Sequence, residues 1–477
     1  MAHKSIFGCF VFFAVAGIWL MDTSCANIAP PLGGARDSLP PVLLAAKPGD
    51  SSLKFTGKKI SLAFNEFIQL ENAQENVLVS PTPKQNPVIE SKLKILNITL
   101  KDSLEPNTTY QINFGETIKD INEGNILKDF KYVFSTGNYL DTSSIAGRVL
   151  IAETGKPDST LLAMLYTKGV DSVVYKEKPR YITRLDSLGR YRFENLKPGA
   201  YFLYAWKDEG GQRRYLSGKQ LFAFADKQVS TNDSEIPVLF AFTEKDTTPV
   251  RQTPSARPGR QLGARQAANP AADKRLRIEF NLENGELDLL KNLEIAFPLA
   301  PLKKFDPAKI SFYNDKWEPV PGYKLIQDST KKKLIFQNKW NEGSLYQVVL
   351  NKEFAEDTAG RKMTRAIDTL TFKTKKLSAY GTVRFRFLNL DISKNPVLQW
   401  VQSEKVVVTS KLTGKELNIK LFIPGEYELR ILYDSNNNGI WDPGQFFKER
   451  RQPEKVLAIT RKVNIKANWD NEIDFKL

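Results

Sequence analysis

The sequence predicts an all-β protein built from tandem β-sandwiches. Apolar and polar residues alternate with a period of two in many short segments, such as Ile60–Phe64, Tyr110–Phe114 and Tyr427–Ile431, and Gly, Pro, Asn and Asp separate these segments. No long segment after the first 25 residues repeats its apolar residues with the period of an α-helix. Together these patterns favour antiparallel sheets with one buried and one solvated face.

The composition bounds the number of domains and excludes several kinds of chemistry. A chain of 477 residues with 41% hydrophobic and 26% charged side chains is long enough for about three or four domains. Its one histidine, His3, and its two cysteines, Cys9 and Cys25, all lie in the first 25 residues. A mature chain without that segment has no histidine for a metal site or a catalytic triad, and it has no disulfide.

The N-terminus has the features of an export signal. A short basic start precedes the apolar run Ile6–Leu20, which is shorter than the roughly 20 residues that a transmembrane helix needs. Ser24 then directly precedes Cys25, which resembles a lipoprotein signal. This resemblance implies a signal peptide over residues 1–24 and a diacylated Cys25 that anchors the chain in the lipid bilayer. Plain secretion with Cys25 as a free thiol is the alternative. Residues 25–41, with two Pro-Pro pairs and a Gly-Gly, are predicted to be a lipidated tether.

The rest of the chain repeats itself. Pro198–Tyr201 recurs 226 residues later as Pro424–Tyr427, and Asp208 corresponds to Asp434 at the same offset. Similar echoes between the segments upstream give a module order A-B-A′-B′, which indicates duplication of a two-domain unit. The predicted boundaries are 42–138 for A, 139–246 for B, 273–376 for A′ and 377–477 for B′.

A basic segment separates the two halves. Residues 247–272 contain four arginines, four prolines and no acidic residue. Low apolar content and like charge predict a disordered linker. An electrostatic contact with an anionic surface, such as lipopolysaccharide phosphates, is the alternative.

Module A carries spaced motifs at Lys59–Ile68, Leu104–Tyr110, Asp120–Asn125 and Phe134–Gly137. On these motifs it resembles the bacterial Ig-like domain first described in S-layer proteins. In physical terms, Asp120–Asn125 has turn chemistry, and the strands on either side have alternating apolar residues. Module A′ keeps fewer of these residues and is predicted to be a second, divergent copy.

Module B carries Ile145–Val149, Asp186–Phe193 and Pro198–Tyr201, and on these it resembles the carboxypeptidase regulatory-like, or transthyretin-like, sandwich. The resemblance implies an accessory domain without catalytic residues. Module B′ is predicted to be a divergent copy of it. With Cys25–Asn27 and Asp37–Pro41 at the tether, the whole chain is similar to a family of Bacteroidetes lipoproteins with an N-terminal Ig-like domain.

One loop has the spacing of a calcium site. Asp434, Asn436, Asn438 and Asp442 take positions 1, 3, 5 and 9 of the pattern, with glycine at position 6. Position 12 is Gln445 instead of the usual bidentate glutamate. The loop is therefore predicted to be a hairpin stabilised by Asx turns, and weak calcium binding is the alternative. No other cofactor is expected.

Two further groups of residues are candidates for function. The acidic pairs Glu66 with Glu71 and Glu123 with Asp129 could in principle catalyse glycoside hydrolysis. Tryptophans could stack on sugars or anchor a protein contact, although core packing is the general expectation. Trp441, in the calcium-like loop, is expected to be the most exposed of them.

These observations predict a non-catalytic lipoprotein, anchored in the outer membrane, that acts as a binding or scaffold subunit. The expected partner is a protein in the outer membrane, in particular a barrel complex. A glycan-binding surface protein is the alternative, and a carboxylate-based hydrolase is a third hypothesis. Nucleic acid is not expected as a partner despite the net charge of +15, because no nucleic-acid-binding motif occurs. The periplasmic face and the cell surface both remain open.

Overall fold

The computed structural model describes residues 36–244, 275–447 and 449–477. The predicted signal peptide, Cys25 and the basic linker lie outside these residues. The described residues form two compact units. The first comprises residues up to Ser144 with the short segments Arg180–Ile182 and Glu194–Pro198, and the second comprises the rest up to Leu477. In the described part of the chain, no helix is long and apolar enough to cross a membrane.

Module A is built from ten strands and one short helix. Its sheets have the strand orders β1-β2-β6-β5, β10-β7-β4 and β3-β8-β9. The elements are β1 Leu43–Lys47, β2 Lys59–Phe64, β3 Ile68–Leu70, α1 Ala73–Asn76, β4 Leu78–Ser80, β5 Val88–Lys92, β6 Ile95–Thr99, β7 Thr109–Gly115, β8 Ile118–Asp120, β9 Ile126–Leu127 and β10 Phe130–Ser135.

Module A′ repeats this arrangement. The orders β19-β21-β25-β24 and β20-β28-β26-β23 correspond to the first two sheets of A, with β20 as an additional strand, and β22 pairs with β27 as β3 pairs with β8. The elements are β19 Glu279–Phe280, β20 Glu286–Leu287, β21 Leu293–Ala296, β22 Leu302–Phe305, a 3-10 turn at Pro307–Lys309, β23 Ile310–Asn314, β24 Lys324–Gln327, β25 Lys333–Gln337, β26 Leu345–Asn351, β27 Ala355–Asp357, β28 Ile367–Thr374 and a 3-10 turn at Leu377–Ala379.

Module B pairs its first and last strands in parallel. One sheet has the order β14-β11-β18, and the other has the order β13-β12-β15-β16 with β17 beside β15. The elements are β11 Ser143–Ile151, β12 Leu161–Tyr166, α2 Val173–Lys176, β13 Tyr181–Arg184, β14 Arg190–Leu196, β15 Ala200–Lys207, β16 Phe222–Phe224, β17 Val229–Ser230 and β18 Leu239–Ala241.

Module B′ has the same topology as module B. Its sheets are β32-β29-β35, with β29 and β35 parallel, and β31-β30-β33-β34. The elements are β29 Gly381–Leu388, a 3-10 turn at Ile392–Lys394, β30 Pro396–Gln402, β31 Lys405–Lys411, β32 Glu416–Phe422, β33 Gly425–Tyr433, β34 Lys455–Ile465 and β35 Asp470–Lys476. The all-β prediction is confirmed, and the repeated strand orders agree with the predicted duplication.

The repeat extends to the chemistry of individual turns. Asp120, which is buried, accepts hydrogen bonds from the backbone N–H groups of Glu123, Gly124 and Asn125 at 2.7, 2.9 and 2.8 Å. Asp357, its counterpart in A′, is also buried and accepts bonds from two backbone N–H groups. Burial raises the pKa of Asp120, but the three N–H donors lower it more, so that its pKa lies below the ordinary value.

Modules A, A′ and B′ contain continuous apolar cores, as the period-two patterns predict. The strand β2 places Ile60, Leu62 and Phe64 in the core of A, with Ser61 and Ala63 only half-buried between them. In B′ the largest core residue is Trp400, which is completely buried against Phe422, with ring centroids 4.1 Å apart. These rigid sandwiches present the loops described next.

Candidate functional site

The predicted calcium loop lies in the connection between β33 and β34 of module B′. Asp434 is 2% exposed, and its carboxylate accepts hydrogen bonds from the backbone N–H groups of Asn438 at 3.3 Å and Gly439 at 2.7 Å. Asn436 and Asn438 donate their side-chain amides to Asp442 Oδ2 at 2.7 and 2.6 Å. The carboxylates at both ends of the pattern are therefore engaged by donors of the loop itself.

The asparagine oxygens also bond within the loop. Asn436 Oδ1 accepts the N–H of Asn438 at 3.0 Å, and Asn438 Oδ1 accepts the N–H of Ile440 at 2.8 Å. Both bonds span two residues, which is the geometry of Asx turns. Over the described residues, no cluster of three or more acidic, histidine or cysteine side chains could hold a metal ion. Weak calcium binding by this loop stays a prediction.

Glu454 closes the loop, although the sequence pattern does not indicate it. It is almost completely buried, and its Oε1 accepts bonds from the N–H and hydroxyl of Ser435 at 2.8 and 2.7 Å. Its Oε2 accepts the N–H of Asp442 at 3.0 Å. A glutamate twelve residues beyond Asp442 has no local signal in the sequence, because only the folded hairpin brings it back to the loop.

Trp441 is held in the same way, and the expectation that it is the most exposed tryptophan is wrong. Its indole N–H donates to the backbone oxygen of Glu454 at 2.9 Å, and its ring packs against Leu432 and Val456. Among the described tryptophans, the exposed ones are Trp317 and Trp469, which are 56% and 62% exposed. Trp441 is half-buried although the loop around it is polar, because its indole gains both a hydrogen bond and an apolar surface to pack against.

Beyond Asp442 the same connection inserts an aromatic side chain into module B. Phe446 is fully buried, with ring centroids 4.8 Å from Phe222 and 5.1 Å from Phe224. Its backbone N–H donates to Glu244 Oε1 at 2.9 Å. The segment 443–454, called the docking loop below, therefore completes the aromatic core of module B.

Polar contacts fix the docking loop beyond Phe446. Arg450 forms an ion pair with Asp171 at 2.6 Å, and its guanidinium lies over the ring of Phe446 with 5.3 Å to the centroid. Gln452 Nε2 donates to Asp226 Oδ1 at 2.8 Å and to the backbone oxygen of Phe224 at 3.0 Å. These bonds orient the loop, and the buried ring of Phe446 adds apolar contact.

A groove with a cavity volume of about 1020 Å³ lies beside the docking loop in the second unit. Its apolar walls include Leu150, Val238 and Phe240 from module B and Leu457 and Ile459 from β34 of module B′. A groove of this size, apolar with a few polar groups, is the usual form of a binding site.

Cations surround this groove. Lys156 Nζ lies 2.9 Å from Glu428 and 3.1 Å from Glu404, and the bond to Glu428 is the main cause of the raised pKa of Lys156. Lys455 Nζ lies over the ring of Phe240 at 5.1 Å from its centroid, and Arg148 Nε donates to a backbone oxygen. Among the described residues, no carboxylate lies within ion-pair distance of Lys455 or Arg148. The groove therefore has uncompensated positive charge.

The acidic residues Glu66 and Glu71, considered above for glycoside hydrolysis, have contacts that differ from those of a catalytic pair. Glu71 forms an ion pair with Lys119 at 2.7 Å. Burial, and after it the carboxylate of Asp120, raises the pKa of Glu66. Neither contact places Glu66 and Glu71 on opposite sides of a substrate, where the acid and the nucleophile of a glycosidase lie.

Comparison with known proteins supports the identification of module A. Residues 37–136 match the family model of the bacterial Ig-like domain. No curated protein matches the sequence. Among solved structures, the Bacillus anthracis TIE protein is 14% identical over 93% of this chain and 75% of its own, with a TM-score of 0.17.

Two further solved structures are similar to this chain at the same low level. The S-layer protein rSbsC is 10% identical, over 91% of this chain and 54% of its own, with a TM-score of 0.16. BcpA, the major pilin subunit of Bacillus cereus, is 9% identical, over 70% of this chain and 98% of its own, with a TM-score of 0.16. At these scores the likenesses carry no argument about function.

Proposed function

We propose that this chain is a non-catalytic, lipid-anchored protein of the outer membrane that acts by binding another envelope protein. The observation that carries this proposal is the groove in the second unit, where apolar walls and uncompensated cations meet beside the docking loop. A bacterial Ig-like domain over residues 37–136 fits a position at the cell surface. The proposed partner is a barrel complex of the outer membrane, for which the chain would serve as a scaffold subunit.

The proposed anchor is acylated Cys25, which directly follows the signal-like segment. Two or three buried acyl chains hold a protein firmly, because each CH₂ contributes about 0.8 kcal/mol. The basic segment 247–272 is proposed to be a spacer, with contact to lipopolysaccharide phosphates as its alternative role.

Pull-down of the full lipidated chain from detergent-solubilised membranes tests the function. We expect an outer-membrane barrel protein in stoichiometric amount from the native chain, and less of it from a variant with the groove charge reversed. Recovery of no membrane protein, with or without cross-linking, would contradict the scaffold role.

Glycan binding is the second candidate, and exposed tryptophan favours it. Trp317 is more than half exposed and lies beside Tyr313, with ring centroids 5.6 Å apart. Two neighbouring aromatic rings on a surface can stack on a sugar. A glycan array probed with the native chain and with Trp317→Ala tests this role, and a hit that the variant loses would favour it over the scaffold.

A further inference from the structure

One end of module A receives the chain from the predicted tether. The backbone N–H of Val42, just before β1, donates to Asn65 Oδ1 at 2.7 Å, and the N–H of Asn65, just after β2, donates to the backbone oxygen of Val42 at 3.0 Å. Farther upstream, the side-chain amide of Asn125 donates to the backbone oxygen of Asp37 at 3.1 Å. Asp37 is twelve positions after Cys25. Because twelve extended residues span at most about 40 Å, an acylated Cys25 keeps this end of the module close to the bilayer.

The same end of module A exposes a cluster of apolar side chains, called the apolar tip below. It begins at Phe67, two residues after Asn65, and Phe67 accepts the backbone N–H of Ile121 at 3.1 Å. The residue after Phe67 donates its N–H to the backbone oxygen of Leu93 at 3.0 Å, and Ile95 lines the same shallow hollow as Phe67 and Leu93. The four apolar side chains are between 42% and 65% exposed. Single apolar residues are normal on a surface, whereas a cluster of four is typical of a contact surface.

Leu93 has a backbone conformation that leucine rarely adopts. It lies in the two-residue turn between β5 and β6 with a φ of 59°, and among the described residues it is the only aliphatic side chain with a positive φ. Glycine is the usual residue at such a position, because a Cβ atom crowds the backbone there. Leu93 is also the most exposed residue of the apolar tip. Its side chain therefore serves neither the turn nor the core, and it is available for a contact outside the module.

Two exposed lysines, Lys92 and Lys94, lie on either side of Leu93. Lys94 Nζ lies over the ring of Phe67, 5.4 Å from its centroid. In the part of the chain that the structure describes, neither lysine has a carboxylate within ion-pair distance. Acids also lie at this end of the module, since burial and then the charges of neighbouring carboxylates raise the pKa of Glu66. The apolar side chains, more than net charge, must therefore supply the attraction of this surface for a partner.

We propose that the apolar tip inserts into the lipid bilayer that holds Cys25. Leu93 and Phe67 reach the boundary of the acyl chains, and the ammonium groups of Lys92 and Lys94 extend from their apolar stems to the headgroup phosphates. The tip is then a second attachment beside the acyl anchor, and two linked attachments strengthen each other and fix the orientation of module A. This inference rests on the proposed membrane anchor and is independent of the groove.

The test uses the mature full chain with Cys25→Ala, so that no acyl chain contributes to membrane binding. The probe is a vesicle of phosphatidylethanolamine and phosphatidylglycerol, and co-sedimentation measures the bound fraction. We expect saturable binding that salt weakens only slightly, because apolar contact dominates. Vesicles should also slow amide hydrogen exchange between Lys92 and Ile95, since insertion removes water from this turn.

Leu93→Gly is the decisive variant, because glycine adopts a positive φ freely and the hairpin should remain folded. We expect an unchanged melting temperature and a vesicle affinity that is about tenfold lower, since the contact of a leucine side chain with the acyl boundary is lost. Leu53→Gly is the matched control. Leu53 is an exposed leucine of the same module, and it lies beside the end of β10, away from the apolar tip. We expect the control to leave the vesicle affinity unchanged.

Three outcomes would overturn the proposal. They are equal vesicle affinity of Leu93→Gly and the parent chain, equal weakening by Leu53→Gly, and absence of vesicle binding by the unlipidated chain at any lipid concentration. The third outcome, with slow exchange at Leu93 in native membranes, would assign the apolar tip to a protein partner. Palmitate labelling tests the anchor at Cys25, and membrane pull-down tests the scaffold role. Neither measurement depends on the tip, so failure of the vesicle test stays distinct from failure of the proposed function.

Discussion

Replacement of Phe446 by alanine should release the docking loop from module B. The ring is fully buried, and removal of a buried phenylalanine side chain costs about 3–5 kcal/mol. The aromatic pairs with Phe222 and Phe224 account for part of this loss, since each such pair contributes about 0.5–1.5 kcal/mol. The guanidinium of Arg450 lies over the ring of Phe446, so removal of the ring should also weaken the ion pair between Arg450 and Asp171.

Because Phe446 lies on a loop, the chain can respond by undocking that loop instead of unfolding a module. Native-state hydrogen exchange reports the difference. We expect the backbone amides of Phe446 and Arg451 to lose protection in Phe446→Ala, and denaturant unfolding to become less cooperative. The control is Ile440→Ala, since Ile440 is an exposed apolar residue in the same connection. Protection of the docking loop in Phe446→Ala equal to that in the control would refute the reasoning.

Three further predictions concern other parts of the chain. Asp120→Asn should destabilise module A near neutral pH, and hydrogen exchange in β7 measures this loss. The folded pKa of Asp120 is lowered, so the stability that its carboxylate contributes is full above about pH 4 and is lost as the pH falls further. The stabilities of the native and variant chains should therefore converge in acid. Asp434→Ala should lower the free energy of unfolding by about 1–3 kcal/mol, because two loop N–H groups lose their acceptor, while chelator should leave the Trp441 fluorescence of the native chain unchanged. Cys25→Ala should abolish labelling by a palmitate analogue and release the protein from membranes, and unchanged labelling would contradict the anchor.

The sequence predicts the strands well where one face is buried. Alternation at Ile60–Phe64 and Tyr427–Ile431 falls inside β2 and β33, because period-two patterning depends only on neighbours along the strand. The predicted duplication agrees with the turn residues Asp120 and Asp357, which each accept backbone N–H groups in modules A and A′. Alternation and turn residues depend on neighbouring positions, so a single sequence is enough to recognise them.

The docking loop and the groove could not be predicted in this way. Phe446 contacts Phe222 and binds Glu244 across 202 residues, and no periodicity connects such distant positions. The same holds for the groove, whose walls come from β18 and β34. The signal that did exist was misleading, since the polar pattern around Trp441 indicated an exposed indole, whereas Glu454 and Val456 hold it half-buried.

Site-specific photo-cross-linking in living cells is the most direct test of the claim that this chain works by binding a protein segment in its groove. A photoreactive phenylalanine analogue replaces Leu457 in the groove in one strain and Val406, which is exposed on the opposite edge strand β31, in another. We predict that position 457 cross-links to one segment of an envelope protein and that Lys455→Glu reduces the yield. Equal cross-linking from both positions, or products at position 457 that contain only lipid, would contradict the account.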